Sequence, residues 1–345
     1  MHQTLPLHSR PMSWKVLITA RTLDEVGAQA IELMRRAGCE LIIPPKYGPH
    51  PPETLLPLLP GADAVLASMD KFNAEVLASK EASQLKTISR WGVGYDAIDV
   101  PAATAQGIVI AYTPGLLNET VADCAFALLL TLARRIHIGH MNMMQGEWKA
   151  AWGNDVFGKT LGIIGCGRIG QAMARRASGF NMRLLGYDVA PNDEAKKLGI
   201  TFVTLDELLA QSDFVSLHAA LTPQNRGMLG EAQLARMKPT AYLINTARGA
   251  LVDEAALARA LEQKWIGGAA LDAFVVEPLP ADHPLRKAPN VLLTPHLASF
   301  ARETGERVSN AAAQAIVDLM NKRRPQWVVN PEVFKSPKLR AVVAD

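Results

Sequence analysis

Residues 160–170 read Thr160-Leu161-Gly162-Ile163-Ile164-Gly165-Cys166-Gly167-Arg168-Ile169-Gly170. An apolar run predicts a strand, a G-x-G-x-x-G turn follows it, and the next residues are typical of a helix. In such a unit Gly165 permits the tight turn, Gly167 lets the backbone approach a pyrophosphate, and Gly170 lets helix and strand pack closely. The segment therefore predicts a dinucleotide-binding α/β domain with a parallel sheet.

A carboxylate, Asp188, ends the next predicted strand, eighteen residues after Gly170. A carboxylate at this position accepts hydrogen bonds from an adenosine ribose and repels a 2′-phosphate, and the three residues after it carry no positive charge. NAD is therefore favoured over NADP. The helix N-terminus offers free N–H groups to the pyrophosphate, and the Arg168 side chain is a candidate for a further phosphate contact.

Strands alternate with helices in two blocks, which predicts right-handed βαβ units. The predicted strands of the first block are Lys15–Thr19, Glu40–Ile43, Ala64–Ala67, Lys86–Ser89 and Ile108–Ala111. Those of the second block are Thr160–Ile164, Arg183–Tyr187, Phe214–His218, Tyr242–Asn245, Gly268–Leu271 and Val291–Leu293. The main predicted helices are Leu23–Ala37, Glu119–Ile136 and Ala301–Asn321, and the stretch after Ile136 is expected to be irregular.

The order of these blocks predicts the domain organisation. We expect a disordered lead-in over residues 1–13, and a Rossmann-type doubly wound domain that binds NAD over residues 118–299. That domain is inserted into a smaller flavodoxin-like α/β domain for the substrate, residues 14–117 and 300–345. A cleft between two such domains is the expected place for a small ligand.

The composition excludes several classes of protein. The 345 residues are enough for about two domains, and 36 basic against 33 acidic side chains give a net charge of +3, too small to predict nucleic-acid binding. The longest apolar run, Cys124–Ala133, is too short to span a membrane. The chain has three cysteines, Cys39, Cys124 and Cys166, and no C-x-x-C pair. We therefore expect no metal site, no disulfide framework and a location in the reducing cytoplasm.

Three unlike polar residues follow three predicted strands of the second block. Arg248 comes after Tyr242–Asn245, Glu277 lies shortly after Gly268–Leu271, and His296 follows Val291–Leu293. Because the carboxyl ends of parallel strands share one edge of the sheet, where ligands of such folds bind, we expect these side chains to converge beside the nicotinamide.

The three residue types suit hydride transfer at an alcohol carbon. His296 is a candidate base for the hydroxyl proton because imidazole titrates near neutral pH. Glu277 would orient the ring and stabilise the imidazolium. Arg248 can hold a substrate carboxylate with two parallel hydrogen bonds and stabilise a developing oxyanion. Asp272, at the end of another strand, is a weaker candidate that could face the nicotinamide, and His283 is interpreted as an ordinary surface or packing residue.

The chain resembles the D-2-hydroxyacid dehydrogenase family over roughly Val16 to Pro331. The motifs that carry the resemblance are the phosphate-binding turn with Asp188, Trp91-Gly92-Val93-Gly94-Tyr95-Asp96-Ala97-Ile98-Asp99, Met237-Lys238-Pro239, Asn245-Thr246-Ala247-Arg248-Gly249, Glu277-Pro278 and Thr294-Pro295-His296. The family's Arg/Glu/His trio would fall on Arg248, Glu277 and His296.

The resemblance also implies the other contacts of the site. Substrate carboxylate contacts would come from Arg248 and from the backbone around Val93 and Gly94. The cofactor contacts it implies fall on Arg168, Ile169, Asp188, Thr246, Ala247 and Asp272. Members of the family typically form homodimers through the cofactor domain, and Glu277 argues against the formate dehydrogenase branch, which has glutamine there.

The resemblance implies an NAD-dependent oxidoreductase that interconverts a D-2-hydroxy acid and its 2-keto acid, and we expect an activity like that of D-3-phosphoglycerate dehydrogenase. The segment Ile88–Gly94 is most similar to phosphoglycerate dehydrogenases, with Arg90 as a candidate contact for a substrate phosphate. Reduction of glyoxylate or hydroxypyruvate is the alternative within the family. An alternative of another class is an NAD-sensing corepressor-like binding protein, which the intact trio disfavours.

Overall fold

The computed structural model describes residues 13–344, and the chain divides into two compact units. The central unit is Asn118–Phe300, and the terminal unit takes in the residues up to Leu117 together with those from Ala301 onward. Of the predicted lead-in, residues 1–13, only Ser13 belongs to the described residues.

The terminal unit contains a five-stranded parallel sheet with the order β2-β1-β3-β4-β5. Its strands are β1 Lys15–Ile18, β2 Glu40–Ile42, β3 Ala64–Ala67, β4 Thr87–Arg90 and β5 Val109–Ala111. This order is that of flavodoxin-like folds. The strands β3, β4 and β5 are buried along their whole length, as expected for parallel strands covered on both faces.

The helices of the terminal unit include one difference from the prediction. They are α1 Thr22–Val26, α2 Ala28–Arg36, α3 Pro52–Leu55, α4 Ala74–Ala78, α5 Val100–Ala105 and α13 Arg302–Met320. The predicted single helix Leu23–Ala37 is wrong, because the chain leaves helical geometry at Gly27, with φ −98° and ψ 10°. A side chain there would collide with the backbone of Leu23 at 2.5 Å, so the break needs a glycine.

The central unit contains a seven-stranded parallel sheet with the order β12-β11-β10-β9-β6-β7-β8. Its strands are β6 Thr160–Ile164, β7 Arg183–Tyr187, β8 Thr201–Phe202, β9 Phe214–Leu217, β10 Tyr242–Asn245, β11 Gly268–Leu271 and β12 Val291–Leu293. The strand order reverses between β6 and β9, which is the topological switch point where Rossmann folds bind a dinucleotide. The predicted fold class, a doubly wound sheet inserted in the chain of a flavodoxin-like unit, is confirmed.

The first helices of the central unit precede β6, and the later ones lie between its strands. They are α6 Asn118–Ala133, α7 Ile136–Met144, α8 Arg168–Ser178, α9 Asp193–Lys197, α10 Leu205–Gln211, α11 Glu231–Leu234 and α12 Glu254–Glu262. The prediction of an irregular stretch after Ile136 is wrong as far as Met144, because α7 occupies this part, whereas residues 145–159 form neither helix nor strand. Arg135 adopts a left-handed conformation with φ 54°, which ends one helix and redirects the chain into the next.

Each sheet has its own buried core. In the central unit, the aliphatic residues of the parallel strands pack against α6 and α8 on one face and against α10 and α12 on the other. Between Ser13 and Ala344, none of the helices is both long enough and apolar enough to cross a membrane.

Candidate active site

The phosphate-binding turn, Gly165–Gly170, connects β6 to α8. Gly165 has φ 91°, and a Cβ on it would lie 2.4 Å from the Ala219 nitrogen, so a larger residue does not fit. Gly167 is exposed and precedes α8 without a side-chain cap, which leaves the first N–H groups of the helix available. Arg168 is exposed and Ile169 is half-buried at the same helix start. The turn therefore offers the donors that a pyrophosphate needs.

The residues around this turn fit a dinucleotide. The Asp188 carboxylate accepts hydrogen bonds from Cys166 N at 2.7 Å and from Ala190 N at 2.9 Å, which holds it beside the turn. At the ends of the neighbouring strands β9 and β10, the buried atoms Nδ1 of His218 and Oγ1 of Thr246 have no partner among the described residues. Because buried polar atoms are nearly always paired, these atoms indicate that a polar ligand completes this edge of the sheet.

His218 is half-buried with its Nδ1 enclosed, and burial of the ring lowers its pKa from 6.5 to about 4. The ring is therefore neutral at physiological pH, with Nε2 2.9 Å from Ser216 Oγ. The sequence analysis placed His218 only at the end of a predicted strand, Phe214–His218. Because its ring is neutral, it adds no charge at this edge of the sheet.

The buried ring of His218 makes stability depend on pH. Between pH 6.5 and 4 the unfolded chain binds a proton that the folded chain does not bind, so the free energy of unfolding falls as pH falls. We expect this group to account for a loss of about 3 kcal/mol across that window, at about 1.4 kcal/mol per pH unit. Urea unfolding of the wild type and of His218→Gln at several pH values measures it. Equal pH slopes for the two proteins would contradict the assignment.

The imidazole of His296 contacts the carboxylate of Glu277 through one nitrogen. Nδ1 lies 2.9 Å from Oε1 and 2.8 Å from Oε2 of Glu277. His296 follows β12 with a left-handed φ of 53°, and its side chain is 36% exposed. Because Nδ1 is hydrogen-bonded to the carboxylate, Nε2 is the ring nitrogen that can exchange a proton with a ligand.

Glu277 is held in its ionised form. Burial acts to raise the pKa of Glu277, but the hydrogen bond and charge of His296, the Phe274 N–H and the charge of Arg248 outweigh it, and the pKa lies below its usual value. The Phe274 nitrogen donates to Oε1 at 2.9 Å. Glu277 therefore carries a negative charge throughout the neutral range and can stabilise a protonated His296.

Arg248 lies beyond the end of β10 in a turn that Asn245 shapes. The Asn245 side chain accepts from Ala247 N at 3.0 Å and donates to the Arg248 carbonyl at 2.9 Å. A Cβ on Gly249, the residue after Arg248, would lie 2.0 Å from the Phe274 carbonyl carbon, so the turn of Arg248 packs against the residue whose N–H binds Glu277. The structure thus brings Arg248, Glu277 and His296 together at one sheet edge. Sequence reasoning missed Asn245, although an asparagine before a tight turn is a recognisable signal.

Asp272 shapes the loop that carries His296. Its carboxylate is fully buried and accepts from the Thr294 hydroxyl at 2.6 Å and from the nitrogens of Leu297 and Ala298 at 2.8 Å each. Burial is the main cause of its pKa being raised above the usual value. Because both oxygens are occupied within the protein, the predicted contact of Asp272 with the cofactor is without support, and the residue instead fixes the loop on either side of His296.

The predicted substrate contacts of the terminal unit follow β4. Val93 and Gly94 are half-buried in the loop after this strand. The Arg90 guanidinium is buried and donates to the carbonyls of Gly94 and Trp91 and to the sulfur of Met69. Arg90 therefore supports its own loop, and these internal bonds give no support to the predicted contact with a substrate phosphate.

Comparisons with known proteins agree with this geometry. Residues 126–298 match the family model described as "D-isomer specific 2-hydroxyacid dehydrogenase, NAD binding domain". A glyoxylate reductase of Korarchaeum cryptofilum is 44% identical over 332 residues, covering 94% of this chain and 98% of that protein.

Solved structures give the same result. A glyoxylate reductase from Paecilomyes thermophila is 32% identical, with a TM-score of 0.80 over 93% of this chain and 99% of that one. The apo form of D-lactate dehydrogenase from Escherichia coli is 30% identical, with a TM-score of 0.79 over 91% of this chain and 99% of that one. The chain therefore belongs to the NAD-dependent D-isomer specific 2-hydroxyacid dehydrogenase family, and its central unit contains the family's NAD-binding domain.

Proposed function

We propose that this enzyme is an NADH-dependent glyoxylate reductase that also reduces hydroxypyruvate. The observation that carries the proposal is the paired contact of His296 with Glu277, at 2.8 and 2.9 Å, beside Arg248. The choice of glyoxylate is supported by relatives of that name that are 40 to 44% identical over nearly the whole chain. The predicted phosphoglycerate dehydrogenase activity has no such support, and Arg90 is bonded within its own loop.

Each residue of the trio has one task in this proposal. Arg248 binds the substrate carboxylate in a bidentate contact and so orients the keto group. His296 donates the Nε2 proton to the keto oxygen, and Glu277 stabilises the imidazolium before that transfer. NADH, when bound, supplies the hydride that reduces the keto carbon. The products are the 2-hydroxy acid, NAD⁺ and a neutral His296, which is protonated again by a solvent proton for the next cycle.

The cofactor contacts that we propose lie on the central unit. Gly165, Gly167, Gly170, Arg168 and Ile169 would hold the pyrophosphate at the start of α8, and Asp188 would bind the adenosine ribose. Thr246 and Ala247, in the turn after β10, are proposed to lie against the nicotinamide half, since the Thr246 hydroxyl is buried without a partner among the described residues. Val93 and Gly94 are proposed as backbone contacts of the substrate carboxylate.

Steady-state assays with NADH and a panel of 2-keto acids test the proposal. We expect kcat/KM for glyoxylate and hydroxypyruvate to exceed that for 3-phosphohydroxypyruvate by roughly tenfold or more, because the buried Arg90 guanidinium is already bonded to its own loop and to Met69. A preference for 3-phosphohydroxypyruvate would support a phosphoglycerate dehydrogenase instead. Tight NADH binding without turnover of glyoxylate, hydroxypyruvate, pyruvate or 3-phosphohydroxypyruvate would support the corepressor-like alternative.

We also propose that the enzyme is a homodimer. The segment from α7 to Phe157 exposes a run of large apolar side chains, and Trp148 and Trp152 are 93% and 98% exposed. The others in this run are Ile136, Ile138, Met141, Met143, Met144 and Phe157. Exposed apolar surface of this kind is typical of an interface. Sedimentation should give twice the chain mass of 37.3 kDa, and Met141→Asp with Met144→Asp should return the monomer. A monomeric wild type at micromolar concentration would contradict the dimer.

A cytoplasmic location is part of the proposal. The three cysteines, Cys39, Cys124 and Cys166, are all free thiols. Burial raises the pKa of the thiols of Cys39 and Cys124 to about 11 and that of Cys166 to about 12. Unreactive, unpaired thiols are typical of proteins that work in a reducing compartment.

A further inference from the structure

A second carboxylate, Glu254, binds the loop that carries Glu277. Glu254 is the first residue of α12, and its side chain is only 11% exposed. Its Oε1 accepts a hydrogen bond from Val275 N at 2.8 Å. The helix start does not need this carboxylate as a cap, because Asp253 already accepts from Ala256 N at 2.9 Å. The contact of Glu254 with Val275 therefore serves the loop rather than the helix.

His283 completes this arrangement on the other oxygen of Glu254. Its Nε2 lies 3.3 Å from Glu254 Oε2, and its Nδ1 accepts from Leu285 N, also at 3.3 Å. Because Nδ1 is an acceptor in this contact, the ring hydrogen sits on Nε2 and points at the Glu254 carboxylate. The histidine thus orients the carboxylate that holds Val275.

The backbone of Phe274 and Val275 contacts both Glu277 and the turn that follows Arg248. Phe274 N donates to Glu277 Oε1. A Cβ on Gly249, the residue after Arg248, would lie 2.0 Å from the Phe274 carbonyl carbon and 2.3 Å from Val275 N. The backbone of Phe274 and Val275 therefore packs directly on the turn of Arg248 and binds the carboxylate of Glu277 through Phe274 N, so its position fixes Glu277 relative to that turn.

We propose that Glu254 and His283 form a positioning pair, which holds Glu277 in place against Arg248 and His296. The pair matters because Val275 and Val276 are 51% and 57% exposed, so their own side chains contribute little to anchoring this part of the loop. The inference rests on the proposed function, in which Glu277 and His296 manage the transferred proton. Glu254 itself touches neither the reacting atoms nor the cofactor contacts proposed above.

Glu254→Ala is the main test. We expect kcat for glyoxylate reduction to fall by roughly 10- to 100-fold, because a displacement of the order of 1 Å at a catalytic group has effects of this size. The Kd for NADH, from quenching of protein fluorescence, should remain within about twofold, because the phosphate-binding turn is untouched. The apparent pKa in the pH profile of kcat should shift in the same direction as it does in Glu277→Ala.

Two further variants and one control make the test specific. Glu254→Gln keeps an oxygen for Val275 N and should retain more activity than Glu254→Ala, and His283→Ala should lose a few-fold in kcat. Glu231→Ala is the matched control, because Glu231 also begins a helix and is ion-paired, with Arg259 at 2.9 Å, but touches no loop of the site. The control should behave as the wild type.

The possible results separate this inference from the proposed function. Loss of activity in Glu277→Ala with a wild-type Glu254→Ala would overturn the positioning pair and leave the proposed function standing. Wild-type activity in Glu277→Ala would overturn the proposed function itself. Equal losses of kcat, NADH affinity and thermal stability in Glu254→Ala and Glu254→Gln would show a general structural role and overturn the positioning pair. If Glu254→Ala does not fold, the kcat values of Glu254→Gln and His283→Ala are compared with that of Glu231→Ala. Lower values than in Glu231→Ala support the positioning pair, and equal values overturn it.

Discussion

Replacement of His296 by alanine is expected to lower kcat for glyoxylate reduction by roughly 10²- to 10⁴-fold, the range typical of a lost general acid. The imidazole is held by Glu277 through Nδ1 at 2.8 Å, so Nε2 is the single proton donor that the trio offers to a keto oxygen. Without it the developing alkoxide must take a proton from water, which is a far weaker acid.

The same variant should bind NADH normally, because the residues proposed to hold the cofactor lie on β6, α8, β7 and the turn after β10. Stopped-flow measurement of NADH oxidation and fluorescence titration of NADH give the two quantities from one preparation. Activity within a few-fold of the wild type would show that another group donates the proton. His283→Ala serves as a comparison, since His283 contacts Glu254 and lies outside the trio.

Replacement of Arg248 by alanine is expected to lower kcat/KM for glyoxylate by roughly 10²- to 10³-fold, with a rise in KM. The guanidinium is proposed to bind the substrate carboxylate, so its loss removes both the binding energy and the orientation of the keto group. The ionised Glu277, whose pKa is lowered partly by Arg248, would also lose a neighbouring positive charge.

Arg248→Lys separates the charge from the geometry. Lysine keeps the positive charge but not the planar fork, so we expect only partial recovery of kcat/KM. Arg236→Ala is the matched control, since Arg236 is an exposed arginine of the central unit that pairs with Asp206 at 3.1 Å. If Arg248→Ala lowered NADH affinity but left the KM for glyoxylate unchanged, the arginine would belong to the cofactor site instead.

Much of the fold could be predicted because the parallel strands are short apolar runs separated by glycine and polar turns. The predicted strands Thr160–Ile164, Arg183–Tyr187, Tyr242–Asn245 and Gly268–Leu271 have the observed bounds. The two-residue strand β8 was missed because two residues carry no periodicity. The helix α7 was missed because its apolar residues are exposed on all sides, so the sequence shows no amphipathic pattern there.

The grouping of the trio could be predicted because a shared sheet edge brings distant residues together. The residues that position the trio could not be predicted, because each acts through contacts that the spacing of residues in the sequence does not reveal. Asp272 reaches loop nitrogens 25 and 26 residues away, and Glu254 reaches Val275 across 21 residues. His283 was interpreted as a surface or packing residue for the same reason.

We propose that His296 and Glu277 act as one unit, and a double-mutant cycle on kcat/KM for glyoxylate tests this most directly. When two residues act together, removal of His296 already abolishes their joint contribution to catalysis. The double variant Glu277→Ala with His296→Ala should therefore be no slower than His296→Ala alone. Fully multiplicative losses, with the double variant slower by the product of the two single effects, would contradict the claim.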